Sequence, residues 1–385
     1  MTPQANGSAR DATTPSSREI ALDLLRRMLE IPSPSCSEGR LARFLFETME
    51  SFGFASRIDE AGNVIGEIGR GVGPTVLLAS HLDTVPGHVP VRLEGTRVFG
   101  RGASDAKGPL ATMVLAAADR GRTFPGRIIV AGLVEEETPG SRGAVHLVET
   151  IDQPDAIIVG EPAGAACITI GYKGKLDLVY RIQCPPVHPT SPTVKASEAA
   201  AAFWHDAARF ASDDGDPKSA SNGHSAFDRL GVTLEEIRGD LESAELRFSY
   251  RTPVNFATDV LIERLRSATC GGALEVVARV DAVVSDRTDI VVRALSAAIR
   301  NDGGKPRLKL KSATSDMNIF ARRWCVPMAT YGPGDSHLDH TADEHIEIDD
   351  FLSGVRILGG ALDELTRSLP ATRQDAMRRT VGEES

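Results

Sequence analysis

The 385-residue sequence predicts an α/β protein: a central mixed sheet flanked by helices, with a smaller α+β unit inserted into it. Three observations predict this. Apolar runs at Thr75–Asp83, Arg127–Val134 and Asp155–Gly160 read as buried strands, and helix-period segments lie around them. Between residues 174 and 280 the pattern becomes strand, helix, strand, strand, helix, strand, the order of a ferredoxin-like unit. The composition, 41% hydrophobic and 25% charged, is that of a soluble globular chain long enough for two domains.

Taken in order, residues 1–17 are polar and lack the basic-then-apolar layout of a signal peptide, so a disordered tail is expected. Ser16 and Glu19 have capping-box spacing before Ile20, Leu24, Leu25 and Met28, and Pro32 and Pro34 stop that helix. Glu38 to Phe52 reads as a second helix, with Leu41, Phe44, Leu45, Met49 and Phe52 on one face and Gly53 as its stop. Asn63 to Ile68 and the Thr75 strand are expected to form a hairpin. A Gly-rich turn, Val98 to Ser104, delivers Asp105 to a helix over Lys107–Asp119.

The inserted unit is read as strand Gly174–Gln183, helix Val194–Phe210, strands Val232–Arg238 and Ala244–Arg251, helix Thr258–Ser267 and strand Leu274–Val280, with a polar loop at Ser212–Ser225. A helix over Asp286–Arg300 returns to the first unit, and Ile348–Arg367 closes it. The domains are therefore drawn as 18–170 with 284–370, and 171–283 between them, with a polar tail at 371–385.

The chemistry gathers where the strands end. His81 and Asp83 are two residues apart and so share a face, which lets the Asp83 carboxylate hold one ring nitrogen and leave the other for a metal. Taken alone, Asp105 reads as a helix N-cap, and Glu135-Glu136-Glu137 as an acidic turn. Glu161 follows the third strand. Together, three buried strands each ending in metal-competent side chains converge if the strands are parallel. Adjacent carboxylates tolerate such crowding only around a shared positive charge. Histidines and acids without cysteine favour Zn²⁺, Mn²⁺ or Co²⁺. The five cysteines are scattered and never in C-x-x-C spacing, which fits free thiols in a reducing, cytoplasmic compartment. A net charge of −10 disfavours a nucleic-acid partner, and no apolar run is long enough for a membrane span.

On Ser80-His81-Leu82-Asp83, Gly102-Ala103-Ser104-Asp105, Glu135-Glu136-Glu137, Gly160-Glu161-Pro162 and Asp339-His340-Thr341-Ala342-Asp343-Glu344, the chain resembles the M20 family of co-catalytic metallohydrolases. The resemblance implies a zinc-peptidase-like catalytic domain with a ferredoxin-like lid and dimerisation domain. It also implies two divalent ions, zinc first, with cobalt or manganese as alternatives. Asp105 would bridge them, His81 and Glu161 would hold one, and Glu137 and His340 the other. It gives Glu136 as general base, Asp83 as the residue orienting His81, and a cis peptide from Asp105 to Ala106. His188 matches a histidine that relatives supply from a partner subunit of a homodimer, although Cys184-Pro185-Pro186 departs from the usual approach to it. Arg251 matches a substrate-carboxylate arginine.

Within the family the likeness is greatest to hydrolases that free lysine or ornithine from an amino-group carrier protein. It rests on Asp59 to Val64, Gly102 to Ala111, Val134 to Glu137 and Tyr331 to His340. This implies hydrolysis of a diamino-acid amide at the glutamate γ-carboxyl of an acidic carrier, with Arg101, Lys107, Arg142, Lys173, Lys175 and Arg323 as candidate carrier contacts. The alternatives are a free N-acyl-amino-acid deacylase, of the acetyl-ornithine, acetyl-lysine or succinyl-diaminopimelate type, or a dipeptidase. More distant is an inactive binding module.

Overall fold

A computed structural model describes residues 16–213 and 226–369. The polar tail at 371–385, most of the expected N-terminal tail and nearly all of the Ser212–Ser225 loop lie outside the described residues. Ser16 and Ser17 are structured: Ser16 caps the Ser17–Leu29 helix, with the reciprocal Ser16–Glu19 box in place.

Among the described residues the main sheet has nine strands. Its order is Ala55–Ile58, Val64–Gly69, Arg127–Leu133, Thr75–His81, Ala156–Gly160, Met328–Thr330, Cys167–Tyr172 and Val283–Val284, with Arg307–Lys311 also paired to Cys167–Tyr172. The three strands read from the sequence lie side by side and parallel. The period-2 pattern sorts their side chains between two faces. Val76, Leu78, Ile128, Val130 and Ile158 pack under helices Ser17–Leu29, Gly39–Phe52, Lys107–Gly121, Ile290–Asn301 and Ile348–Ser368. Leu77, Ala79, Ile129, Ala131, Ile157 and Val159 pack under Arg142–Thr150 and Asp316–Arg323. Both faces are covered, which is why these strands read as continuous apolar runs.

One pairing differs from expectation. The Val64 strand does not form a hairpin with Thr75–His81; it pairs antiparallel with Ala55–Ile58 and with Arg127–Leu133. The turn at Asp59–Asn63 makes the real hairpin: the Asp59 carboxylate accepts the peptide N–H groups of Ala61 and Asn63. The Arg127 strand then enters between the two segments expected to pair.

The second sheet is wholly antiparallel, in the order Gly231–Gly239, Ser243–Thr252, Gly174–Gln183, Ala273–Val280. With helices Ala196–Asp213 and Thr258–Ser267 it has the ferredoxin-like connectivity and its own core around Leu178, Tyr180, Phe203, Leu246, Phe248 and Leu265. A third, three-stranded sheet joins Arg92–Glu94 and Arg97–Phe99 to His345–Glu347. The His345–Phe99 pairing brings the segment just before residue 345 beside the turn after residue 99. Among the described residues no helix is long and apolar enough to cross a membrane. All five cysteines are free.

Asn63 fastens the hairpin to the edge of the sheet where the Arg127–Leu133 strand ends. Its fully buried amide accepts from Val134 N at 3.0 Å and donates to Gly143 O at 3.0 Å and Asp59 Oδ2 at 2.9 Å. Asn63→Ala leaves buried partners unpaired and is expected to cost about 2–4 kcal/mol. Thermal unfolding of the full chain should show a lowered Tm; an unchanged Tm contradicts this role.

Candidate metal centre

His81 is the last residue of its strand, and Glu135 to Glu137 and Glu161 follow the ends of the two strands on either side. The parallel register therefore sets all of them on one edge. Gly160 permits the closeness: a Cβ there would stand 2.7 Å from that of Ser80. The Ser80 hydroxyl donates to Gly160 O at 2.7 Å. Past the Glu161 turn, Lys311 and Lys309 donate to the carbonyls of Pro162 and Ala163, each at 2.7 Å.

Asp105 sits at the centre. His81 Nε2 lies 3.1 Å from its Oδ1, and His340 Nε2 lies 3.3 Å from its Oδ2 and 2.9 Å from Glu137 Oε1. Two histidines thus face opposite oxygens of one carboxylate. The Asp105–Ala106 peptide is cis, as the resemblance implies. Asp105 is not the cap of the following helix; Ala106 holds that position. The carboxylate is directed at the histidines, and Glu344 holds its backbone. Glu344 Oε1 accepts from Ser104 N and Asp105 N, both at 3.1 Å, while Oε2 pairs with Arg101 at 2.7 Å.

Ligand-capable atoms of His81, Glu136 and Glu161 lie within 4.8 Å of one another, as do those of His81, Asp105 and Glu137. These sets contain imidazole nitrogen and carboxylate oxygen and no thiolate, a donor chemistry that suits zinc, manganese or cobalt. The residues fit a pair of divalent cations also in their electrostatics. Burial, reinforced by Glu161, pushes the Glu136 carboxyl well above its ordinary range. Burial and then Asp105 push Glu161 up to about 8 and Asp339 up to about 7. Burial likewise raises Asp316 to about 7, and its Oδ1 has no hydrogen-bond partner. His340 is raised to about 9, chiefly by its bond to Asp105. Burial would raise Asp105 too, but His340 and His81 outweigh it and hold that carboxyl far below the usual range.

Asp83 meets the His81 ring with both its carbonyl and its carboxylate. His81 Nδ1 lies 2.8 Å from the Asp83 backbone carbonyl, against 3.5 Å to its carboxylate. A carbonyl only accepts, so Nδ1 carries a proton and Nε2 is the nitrogen turned to Asp105. The Asp83 carboxylate also accepts from Glu136 N at 3.0 Å, Glu137 N at 3.1 Å and the Ser35 hydroxyl at 2.7 Å.

Arg251 lines the same cavity of about 340 Å³ as Asp105, Glu136, Glu137, Glu161 and His340, and it donates to the Thr314 hydroxyl at 3.4 Å. His188 does not join it within one chain: it is exposed, with Nδ1 2.8 Å from the Thr190 hydroxyl. Glu135 turns outward to Arg142 at 2.6 Å. Two expected carrier contacts are corrected. Lys107 is buried and donates to Met28 O and Ile31 O, and buried Lys173 donates to Arg229 O. Neither ammonium is free to meet a partner. Sequence reasoning missed the roles of Glu38, Ser35, Lys311 and Glu344; of these only Glu344 lies in a motif that carries the family resemblance.

The LysW-lysine hydrolase of Deinococcus radiodurans is 38% identical over 357 residues, covering 90% of this chain and 97% of that one. A LysW-lysine/LysW-ornithine hydrolase of Saccharolobus islandicus is 31% identical over 357 residues, covering 90% and 96%. Among solved structures, an M20 family metallo-carboxypeptidase from Sulfolobus solfataricus superposes with TM-score 0.73 at 18% identity, covering 91% of this chain and 99% of that one. A dinuclear metal-binding M20 peptidase of Bacillus subtilis superposes with TM-score 0.72 at 14% identity, covering 92% and 99%. Residues 77–364, which span every acid and histidine at the sheet's edge, match peptidase family M20/M25/M40, and the chain belongs to that family.

Proposed function

We propose that this protein is a metal-dependent amidohydrolase that releases lysine, ornithine or a related diamino acid from the glutamate γ-carboxyl of an amino-group carrier protein. The observation that carries the chemistry is the pair of histidines on opposite oxygens of Asp105, beneath a cavity that Arg251 also lines. The names of the relatives, LysW-lysine and LysW-ornithine hydrolases, support the substrate.

Asp105 would be shared by two cations, with His81 and Glu161 on one and Glu137 and His340 on the other. Bound there, divalent ions acidify a water and polarise an amide carbonyl. Glu136 is the general base: its buried carboxylate accepts the proton of the attacking water and delivers it to the leaving amine. Glu136 also lies within ligand reach of His81 and Glu161, which keeps the proton acceptor next to the point of attack. Arg251 pairs with the substrate carboxylate. His188, exposed in its own chain, would reach the site of a partner subunit in a homodimer and donate to the developing oxyanion. The scattered free cysteines fit a reducing cytoplasm.

Without cations the acids remain over-protonated in the folded state. Glu136, Glu137, Glu161, Asp316 and Asp339 are all raised, and so are His81 and His340. Each binds more protons folded than unfolded, so ion-free stability should fall as pH rises from about 5 to about 8. Chelated protein should be inactive and melt lower near pH 8 than near pH 6; added zinc should raise Tm and flatten that slope. Full activity in metal-free protein contradicts the mechanism.

Glu136→Gln should bind two ions per chain and lose at least about 100-fold in kcat, whereas Asp105→Ala should lose metal occupancy itself. Elemental analysis alongside kinetics separates them, and a fully active Glu136→Gln removes the base assignment. For the substrate, a panel of carrier-linked and free acyl-diamino acids should be assayed with defined Zn²⁺, Co²⁺ or Mn²⁺. Preference for carrier-linked lysine or ornithine is expected; faster turnover of free acetyl-ornithine or succinyl-diaminopimelate would assign a stand-alone deacylase.

A further inference from the structure

The loop that carries Glu136 and Glu137 is held by its peptide N–H groups. Glu135 has φ +60°, the left-handed region that a side-chain-bearing residue occupies only when something fixes it there. Its side chain pairs with Arg142, and its peptide N–H is held separately. The anchors are two buried carboxylates from elsewhere in the chain. Glu135 N donates to Glu38 Oε1 at 3.1 Å, Glu136 N to Asp83 Oδ1 at 3.0 Å, and Glu137 N to Asp83 Oδ2 at 3.1 Å. Three consecutive amides are thus divided between two acids, the arrangement of an anion-binding nest whose anions are the protein's own.

Glu38 is unusual for its position. It precedes the Gly39–Phe52 helix as the N-cap residue, yet its side chain makes no capping bond to that helix. It is 4% exposed, and the oxygen that receives Glu135 N also accepts Cys36 N at 3.0 Å. A buried carboxylate close to a second one is costly to retain without a function or full pairing. The bonds it makes serve the turn at Glu135 and the short segment before its own helix.

We propose that Glu38 is a positioning residue for Glu136: by accepting the Glu135 N–H it fixes the left-handed turn that aims the Glu136 carboxylate into the cavity. The proposal rests on the reading of Glu136 as general base. Loss of the Glu38 acceptor frees the Glu135 peptide to rotate, and the carboxylate one residue on moves with it. Asp83 still holds the Glu136 and Glu137 amides, so metal binding survives, while the loosened turn before Glu136 blurs the aim of its carboxylate and proton transfer suffers.

The test compares Glu38→Met, which keeps the volume but removes the acceptor, with Glu38→Gln, which keeps an accepting oxygen. Both are studied as full-length, zinc-loaded protein. Glu38→Met should lose about 10- to 100-fold in kcat, with KM and two zinc ions per chain unchanged, and Glu38→Gln should recover most of that loss. Hydrogen exchange followed by mass spectrometry should show the peptide spanning Glu135 to Glu137 exchanging faster in Glu38→Met and at the wild-type rate in Glu38→Gln. Should Glu38→Met fold poorly, a Glu38→Gln protein that exchanges and turns over like the wild type upholds the proposal. The same variant losing as much kcat as Glu136→Gln overturns it. Wild-type kcat and exchange in Glu38→Met also overturn it, while leaving the hydrolase reading intact. If the wild type cleaves no amide of the panel, the hydrolase reading falls and this proposal falls with it.

Discussion

Mutual repulsion among carboxylates at the end of three parallel strands is the constraint from which the rest of this structure follows. Asp105, Glu136, Glu137 and Glu161 meet in a buried pocket with Asp316 and Asp339 close behind. Burial alone favours the neutral form of each. His81 and His340 offset part of that charge, and both bear on the same Asp105, while Lys311 acts on Glu161 and Asp339. An arrangement so uneven is what a site built around cations looks like before they are counted.

The surrounding fold holds those acids by their backbones. Glu344 grips the amides of Ser104 and Asp105, Asp83 those of Glu136 and Glu137, and Lys309 and Lys311 the carbonyls after Glu161. Fixing peptides leaves the carboxylate oxygens themselves free for ligands, and a rigid backbone is how a site gains accuracy that side-chain rotamers cannot supply. The small sheet joining Phe99 to His345 is part of this device, since it brings His340 to an aspartate more than two hundred residues earlier.

Much of this was legible in the sequence, for identifiable reasons. Strands buried on both faces leave continuous apolar runs, so the Thr75, Arg127 and Asp155 segments and the acids after them could be read directly. The ferredoxin-like unit was legible from the order of its elements, and its Gly174–Gln183 strand and Thr258–Ser267 helix have the expected bounds. Pairing was harder. The partner of the Val64 strand comes from sixty residues downstream, and local pattern cannot register that. Short strands such as Met328–Thr330 and Arg92–Glu94 carry too few residues for any period to show. Glu38 was legible only as the start of a helix because its partner, the Glu135 amide, has no sequence signature at all.

The central claim is that one aspartate is shared between two cations. Anomalous diffraction from crystals grown with zinc measures this directly. Two peaks are expected, both touching Asp105, one beside His81 and Glu161 and the other beside Glu137 and His340. A single peak, or two that leave Asp105 out of their coordination, would contradict it.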